Sequence, residues 1–345
     1  MLLSRVHGAI RPADRPRGEG VSFPGWEKST IRLESGEYAE GLAPVIVSAS
    51  RRTDIPAFHA EWFVRRLRSG YVKWVNPFSR VPQYVSFEHV RAIVFWTKNP
   101  RPILSHLEAL DRRGIGYYFH FTLNDYESEG LEPAVPPLAQ RIETFRELSR
   151  RVGKEKVVWR YDPILATDDL NVERFAERIA GVGNALHAYT EKLVFAFADI
   201  ERYASVQRRL RRRGGGCREL TIDEMRAHAE HLAAMARGWG LTAASCAEAI
   251  DLAAVGIRKN KCIDDELLLR LFPQDKELAR FLGPAESRYR LKDKGQRREC
   301  GCIVSKDIGA YDTCPHFCRY CYANTSEGAV RAAMLRHEAH AAGLK

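Results

Sequence analysis

Short apolar runs alternate with longer amphipathic stretches from Pro44 to the end of the chain. The apolar runs are rich in β-branched and aromatic residues and end in polar residues, which is typical of buried strands. The pattern predicts strands at 45–49, 72–75, 92–97, 117–122, 156–161, 193–198 and 241–245, with a short last one within 303–311. It predicts helices at 60–69, 101–112, 137–152, 172–181, 222–238, 264–271 and 327–341.

Strands that alternate with helices imply a parallel sheet with helices packed outside it. About eight such units in about 300 residues fit a (β/α) barrel. We therefore expect an α/β fold with a (β/α) barrel over residues 44–345. An open doubly wound sheet would show the same alternation. Residues 1–43 are rich in Arg, Gly and Pro and lack periodicity, which predicts a loosely ordered N-terminal extension.

Polar side chains follow the predicted strands at their carboxyl ends, where a (β/α) barrel carries its active site. The candidate catalytic residues are Arg52, Asp54, Lys98, Arg160, Asp162 and Glu248. Arg52 and Asp54 could bind a carboxylate or a ribose of a ligand, or form a salt bridge with each other. Lys98 could contact an anionic group, transfer a proton or be solvated. Glu248 could hold a ribose hydroxyl, transfer a proton or cap a helix.

Composition and charge narrow the class of protein. No GxGxxG or GxxxxGK[ST] turn follows a predicted strand, which argues against a dinucleotide or P-loop site. The chain has no stretch of ~18 apolar residues and no secretory signal, so we expect a cytoplasmic protein that does not enter a membrane. The net charge is +10, which favours anionic partners, nucleic acid among them. Part of this excess lies in the arginines of 208–213, which precede three glycines and are interpreted as a solvated loop.

The chain has eight cysteines, five of them between Cys300 and Cys321. In a large chain without an export signal, metal binding is a better explanation of this density than disulfides. Cys314, Cys318 and Cys321 form a CxxxCxxC motif. Three thiolates hold three irons of a [4Fe–4S] cluster and leave the fourth iron open to chelate S-adenosylmethionine. Reductive cleavage of that cofactor then yields a 5′-deoxyadenosyl radical.

This motif resembles the cluster loop of the radical S-adenosylmethionine superfamily, including an aromatic residue, Tyr320, before the last cysteine. The string CPHFCRYCYAN resembles the loop of the spore photoproduct lyase branch. The wider stretch 44–325, with the strings SASRRTD, WTKNP and KDKGQR, is similar to an uncharacterised bacterial domain family of unknown function. The superfamily resemblance implies an enzyme whose cofactor contacts Cys314, Cys318, Cys321 and Tyr320. It also implies an electron donor such as ferredoxin or flavodoxin, and a substrate that the motif does not identify.

The position of the motif departs from that superfamily, in which the cluster loop follows the first strand of the barrel. Here the loop lies near the C-terminus. A circular permutation reconciles the two, since the ends of a barrel meet. We therefore expect the strand before Cys314 to lie beside the strand at 45–49.

The cysteines leave three alternatives open. Cys300, Cys302, Cys314 and Cys318 could hold zinc, which would make the chain a zinc- or iron–sulfur-binding module that binds nucleic acid without catalysis. Cys246, Cys262, Cys300 and Cys302 could hold a second [4Fe–4S] cluster or structural zinc, or Cys246 and Cys262 could be buried small apolar residues. A barrel hydrolase with structural cysteines is a weaker alternative, because no HxH or paired-carboxylate motif ends a strand.

Overall fold

The computed structural model describes residues 23–213 and 216–345. The strands are β1 Glu27–Arg32, β2 Tyr38–Ala43, β3 Ile46–Ala49, β4 Tyr71–Val75, β5 Pro82–Ser86, β6 Ala92–Thr97, β7 Gly116–Thr122, β8 Val157–Ile164, β9 Lys192–Phe197, β10 Thr242–Ser245, β11 Arg258–Lys259 and β12 Lys306–Asp307. The α-helices are α1 Ile55–Phe58, α2 Ala60–Ser69, α3 Arg101–Leu104, α4 Glu108–Asp111, α5 Leu138–Val152, α6 Val172–Leu186, α7 Ala204–Arg213, α8 Ile222–Trp239, α9 Asp265–Leu271, α10 Lys276–Leu282 and α11 Glu327–Arg336.

Local chemistry explains where the long helices begin and end. Helix α8 begins at a capping box, in which the Thr221 hydroxyl and the Glu224 carboxylate each accept a backbone N–H. It ends at Gly240, whose φ of 69° is in the left-handed region that favours glycine. Helix α6 begins at Asn171, whose side chain accepts a hydrogen bond from the N–H of Arg174. No helix in the described ranges is both long and apolar enough to span a membrane.

Eight strands form one parallel sheet in the order β11-β10-β9-β8-β7-β6-β3-β12. This confirms the α/β class and the parallel arrangement. Strand β12 pairs with β3, as expected for the strand that precedes Cys314. Within the described residues β11 and β12 do not pair with each other, so hydrogen bonds do not close the eight strands into a barrel.

The segments next to the two edge strands nevertheless meet, because the N–H of Ile303 donates to the carbonyl of Ile263 at 3.2 Å. Side chains alternate between the two faces of each strand, so each face has its own apolar layer. One layer, which includes Phe95, Phe119 and Trp159, packs against helices α2, α5, α6 and α8. The other layer joins residues of the central strands to the segment 262–303 and contains Ile46, Val94, Tyr118, Val158, Val194, Ile263, Leu268 and Leu278.

A second sheet has four strands in the order β1-β2-β5-β4. The predicted strand at 72–75 belongs to this sheet as β4 rather than to the parallel one. Residues 27–43 form an antiparallel hairpin with Ile31 and Ala43 buried, where the sequence predicts a loosely ordered extension. Burial of these two residues stabilises the hairpin, although its sequence has no clear alternation. Residues 1–22 of the predicted extension lie outside the described residues.

His228 of α8 provides a test of the packing between helices. Its ring lies 4.6 Å from the ring of Phe175 on α6, and burial lowers the pKa of His228 from 6.5 to about 4. The unfolded imidazole therefore takes up a proton at a higher pH than the folded one. The stability that comes from this neutral group is present above pH 6.5 and is lost as the pH falls toward 4.

We expect wild-type protein to lose about 2 kcal/mol of unfolding free energy through His228 between pH 7 and pH 5. Denaturant unfolding at both pH values should show that His228→Gln loses less unfolding free energy between pH 7 and pH 5 than wild type does. His231→Gln changes an exposed histidine of the same helix and is the matched control. An equal pH dependence in wild type and His228→Gln would contradict the prediction.

Candidate functional site

A cavity of about 350 Å³ lies at the carboxyl ends of the parallel strands. This is the end of the sheet at which α/β proteins bind ligands, and the volume is within the range of small-molecule sites. Seven of the eight cysteines line the cavity, namely Cys246, Cys262, Cys300, Cys302, Cys314, Cys318 and Cys321. Cys217 is not among the lining residues. The cavity therefore brings together thiols that the sequence separates by up to 75 positions.

The segment 312–325, here called the cysteine loop, carries Cys314, Cys318 and Cys321. Phe317 has a φ of 53°, and this left-handed conformation turns the chain just before Cys318. The side-chain amide of Asn324 donates to the carbonyl of Cys314 at 2.8 Å. These contacts hold the loop in a tight turn with its three thiols on the cavity.

Arg209 of α7 braces the cysteine loop from outside. Its guanidinium donates to the carbonyls of Arg319 at 3.1 Å and Asn324 at 2.7 Å, and to the carbonyl of Cys321. The sequence analysis interprets the arginines in 208–213 as a solvated loop, and this is wrong. These residues form the end of helix α7, and Arg209 binds the cysteine loop. Gly214 and Gly215 lie outside the described residues.

Asp54 is a buried positioning residue. One carboxylate oxygen accepts the N–H of Lys98 at 2.6 Å and contacts Nε2 of His316 at 2.8 Å. The other oxygen caps α1 by accepting the N–H of Ala57 at 3.0 Å. Asp54 therefore ties the β3–α1 turn to the cysteine loop and does not form the salt bridge with Arg52 that the sequence allowed.

Arg52 instead pairs with Asp307, a residue that sequence analysis did not single out. The Asp307 carboxylate accepts five hydrogen bonds of 2.9 Å, from Ser48 Oγ, Ser50 Oγ, Arg51 N, Arg52 Nη1 and Gly309 N. Burial opposes its ionisation, but the Arg52 guanidinium and the backbone N–H groups hold the pKa of Asp307 below its usual value. Asp307 thus stays charged and fixes the turn after β3 to β12.

Lys98 belongs to a buried network around Glu132. Its ammonium donates to Glu132 at 2.7 Å and to the hydroxyl of Tyr320 at 3.1 Å, and that hydroxyl also donates to Glu132. Arg141 lies 3.5 Å from the second Glu132 oxygen. Burial disfavours both charges, yet the Glu132 carboxylate raises the pKa of Lys98, and Lys98 with Arg141 lowers the pKa of Glu132. The pair is ionised, so Lys98 is a fixed cation on the cavity wall.

A second group of thiols lies on the same cavity. The sulfurs of Cys246 and Cys262 are 3.4 Å apart. The sulfur of Cys302 accepts the N–H of Cys262 at 3.1 Å, and the Cys302 thiol lowers the pKa of Cys300 through a hydrogen bond. The packing therefore joins Cys300 and Cys302 to Cys246 and Cys262, rather than to Cys314 and Cys318 as the predicted zinc set requires.

Arg160 contacts this second group of thiols, and Asp162 pairs with Arg160. Nη1 of Arg160 donates to the sulfur of Cys262 at 3.0 Å, and Nη2 pairs with Asp162. Asn260, which sequence analysis missed, donates to the same sulfur at 3.2 Å. Glu248 is not a lining residue. It accepts the N–H of Phe197 at 2.9 Å, and burial raises the pKa of Glu248 to about 7.

Two polar groups on the cavity have no protein partner. Nη2 of Arg51 and Oγ1 of Thr53 are buried and form no hydrogen bond with any described residue. The Arg51 guanidinium also lies 5.0 Å from the ring centre of Trp96, another lining residue. Buried polar groups are nearly always satisfied, so these two are suited to contact a ligand.

The donor set of the cysteine loop fits a [4Fe–4S] cluster. Among the described residues no three Cys, His, Asp or Glu side chains converge on the position of one metal ion. A cluster distributes its thiolates over separate irons, so it does not require that convergence. Burial raises the pKa of all three thiols, while Lys98 acts against this at Cys318 and Arg209 at Cys321. Three thiols with two nearby cations suit an anionic cluster.

Comparisons with known proteins identify one family. A family model described as a domain of unknown function (DUF1848) matches residues 46–323, which include the parallel sheet and all seven cavity cysteines. No curated protein is significantly similar in sequence. A solved structure described as a candidate alpha-L-fucosidase from Bacteroides thetaiotaomicron is 11% identical and covers 96% of this chain and 98% of its own. Its TM-score of 0.27 is too low to carry an argument about fold or function.

Proposed function

The chain belongs to the DUF1848 family, and we propose that this member is a radical S-adenosylmethionine enzyme. The observation that carries the proposal is the position of Cys314, Cys318 and Cys321 on one braced loop, with all three thiols on the cavity at the carboxyl ends of the strands. Three thiolates leave one iron of a [4Fe–4S] cluster without a protein ligand.

The cysteine loop would hold the cluster through these three thiolates. When bound, the cluster supplies the electron for reductive cleavage of S-adenosylmethionine. The chain's own residues hold the loop in place: Arg209 binds backbone carbonyls of the loop, and Asp54 binds His316 within it. Lys98 and Arg209 offset the negative charge of the thiolates.

The unpartnered groups on the cavity would bind the cofactor. Arg51 Nη2 is a donor for the carboxylate of S-adenosylmethionine, and Thr53 Oγ1 can donate or accept. Asp307 orients Arg51 by accepting its backbone N–H at 2.9 Å. Apolar lining from Trp96, Phe197 and Ala198 excludes water from the same space.

The strand order supports a circularly permuted barrel as part of this proposal. Strand β12 pairs with β3 and leads into the cysteine loop. In the permuted arrangement β12 takes the place of the first strand of the superfamily, and α11 takes the place of the first helix. The hydrogen bond from Ile303 to Ile263 supports the near approach of the sheet's two edges.

The proposal also includes partners and a setting. The net charge of +10 favours an acidic electron donor, such as a ferredoxin or flavodoxin, and an anionic substrate, nucleic acid among them. A reducing cytoplasm is the setting that keeps seven cavity thiols available for metal.

The test is anaerobic reconstitution with iron and sulfide, followed by dithionite and S-adenosylmethionine. We expect absorbance near ~400 nm from thiolate-bound iron, a change in the electron paramagnetic resonance spectrum on addition of the cofactor, and formation of 5′-deoxyadenosine. Cys217→Ala, outside the cavity, should behave as wild type. Uptake of zinc without iron would overturn the proposal. So would a reduced cluster whose electron paramagnetic resonance spectrum does not change when S-adenosylmethionine is added. The zinc result would favour a nucleic-acid-binding module.

A further inference from the structure

We propose that Cys246, Cys262, Cys300 and Cys302 hold a second [4Fe–4S] cluster on the same cavity as the cysteine loop. Four thiolates complete the ligation of a cube, so this cluster has no open iron and acts as a one-electron carrier. The inference stands on contacts of its own and does not require the cysteine loop to bind a cluster.

The fold brings these four cysteines together from three separate segments. Cys246 follows β10, Cys262 follows β11, and Cys300 and Cys302 lie in the segment before β12. The hydrogen bond from Ile303 to the carbonyl of Ile263 fixes the last two segments against each other. The sulfurs of Cys246 and Cys262 lie 3.4 Å apart, the sulfur of Cys302 accepts the N–H of Cys262 at 3.1 Å, and Cys300 lines the same cavity two residues before Cys302.

Hydrogen bonds to the sulfurs distinguish this group from packed apolar cysteines. The sulfur of Cys262 accepts from Arg160 at 3.0 Å and from Asn260 at 3.2 Å. The sulfur of Cys302 accepts backbone N–H groups of Cys262 at 3.1 Å and Ile263 at 3.4 Å. A neutral thiol is a weak acceptor, whereas a metal-bound thiolate is a strong one. Four N–H donors on two sulfurs are the surroundings that a cluster requires.

The charges around the thiols agree with a bound anion. Arg160 is 4% exposed, and its guanidinium reaches both Cys262 and Asp162. Arg51 interacts electrostatically with Cys302 and Cys262. Carboxylates neighbour both guanidinium groups, Asp162 beside Arg160 and Asp307 with Asp293 near Arg51, and each guanidinium also acts on a sulfur of this group, which favours the thiolate form.

The thiols form neither a disulfide nor a convergent zinc site in this structure, and the sulfurs of Cys246 and Cys262 would move apart to reach separate irons of a cube. Zinc at ~2.3 Å from each sulfur requires four sulfurs about 3.8 Å from one another around one point. In residues 23–213 and 216–345 no three such donors converge on one ion. The 3.4 Å between the sulfurs of Cys246 and Cys262 is well beyond the ~2.05 Å of a disulfide.

Iron and sulfide analysis after anaerobic reconstitution tests the inference with three variants. The first replaces Cys314, Cys318 and Cys321 with serine, the second replaces Cys262 and Cys302 with serine, and Cys217→Ser is the matched control. We expect about eight irons per chain in wild type and control, and about four in each of the other two variants. Circular dichroism checks that each variant is folded.

The results separate this inference from the proposed function. If the first variant retains about four irons while wild type does not cleave S-adenosylmethionine, the second cluster stands and the proposed function fails. If the first variant binds no iron, or binds one colourless zinc, the second cluster is refuted. Wild-type iron content in the second variant would also refute it.

A milder variant covers the case in which the loss of Cys262 and Cys302 unfolds the protein. Asn260→Ala removes one N–H donor from Cys262 and leaves all four thiols in place. Placed on the first variant, it should keep about four irons and lower the reduction potential, because an N–H donor stabilises the more negative reduced cluster. An unchanged potential would show that Asn260 does not face a cluster ligand and would overturn the inference.

Discussion

Replacing Cys318 with alanine is expected to reduce 5′-deoxyadenosine formation to the level of an assay without protein. The substitution removes one of three thiolates from the cysteine loop, and two thiolates do not hold the cluster in the orientation that cofactor cleavage requires. Cys318 is buried beside Cys314 and Cys321, and no other described cysteine lies on that loop. The measurement is chromatography of the reaction of reconstituted, dithionite-reduced protein with S-adenosylmethionine.

Loss of the thiol should leave the fold intact, so the loss of activity is not a loss of structure. Removal of one buried sulfur costs on the order of 1 kcal/mol in unfolding free energy. Cys217→Ala removes a thiol outside the cavity and should retain wild-type product formation. Product formation by Cys318→Ala at the wild-type rate would show that this cysteine does not bind the cofactor's cluster.

Asp307→Ala should lower the unfolding free energy by roughly 3–5 kcal/mol, the cost of removing one partner from a buried ion pair. The substitution leaves the Arg52 guanidinium without its carboxylate and deprives two serine hydroxyls and two backbone N–H groups of an acceptor. It also removes the hydrogen bonds that join β12 to the turn after β3. Denaturant unfolding at pH 7 measures the effect.

The control for Asp307 is Asp223→Ala, which breaks an exposed pair with Arg226 and should change stability by less than about 1 kcal/mol. The folded pKa of Asp307 is depressed, so its contribution is present above the ordinary value of 3.8 and is lost as the pH falls below it. The destabilisation by Asp307→Ala should therefore be smaller at pH 3 than at pH 7. Equal denaturant midpoints of unfolding for Asp307→Ala and Asp223→Ala at pH 7 would refute the structural role of Asp307.

Most candidate site residues could be predicted because they follow strands that have a clear local pattern. Five of the six candidate catalytic residues line the cavity, and Glu248 lies close by, bound to Phe197. Their partners could not be predicted. Asp307 and Ser48 are 259 positions apart, and Arg209 reaches a carbonyl 112 positions away. Glu132 lies in a loop without periodicity, so no local signal marked it.

The sequence by itself determined the elements whose local pattern matches their burial. Strand β6 coincides with the predicted 92–97 and α2 with 60–69, because β6 is a continuous apolar run typical of a strand buried on both faces and α2 has one apolar face with the period of a helix. The CxxxCxxC motif likewise needs only its own spacing to bring three thiols into one loop. The chemistry proposed for this loop could therefore be predicted from the sequence alone.

Only the tertiary structure decided how these elements pair. Whether β4 joins the small sheet or the large one, and whether β11 meets β12, depends on packing between distant segments that no local window records. The same holds for the thiols. The sequence left two sets of four cysteines open, and only the fold shows that Cys246 and Cys302 both contact Cys262. Long-range contacts grouped the seven cysteines on one cavity.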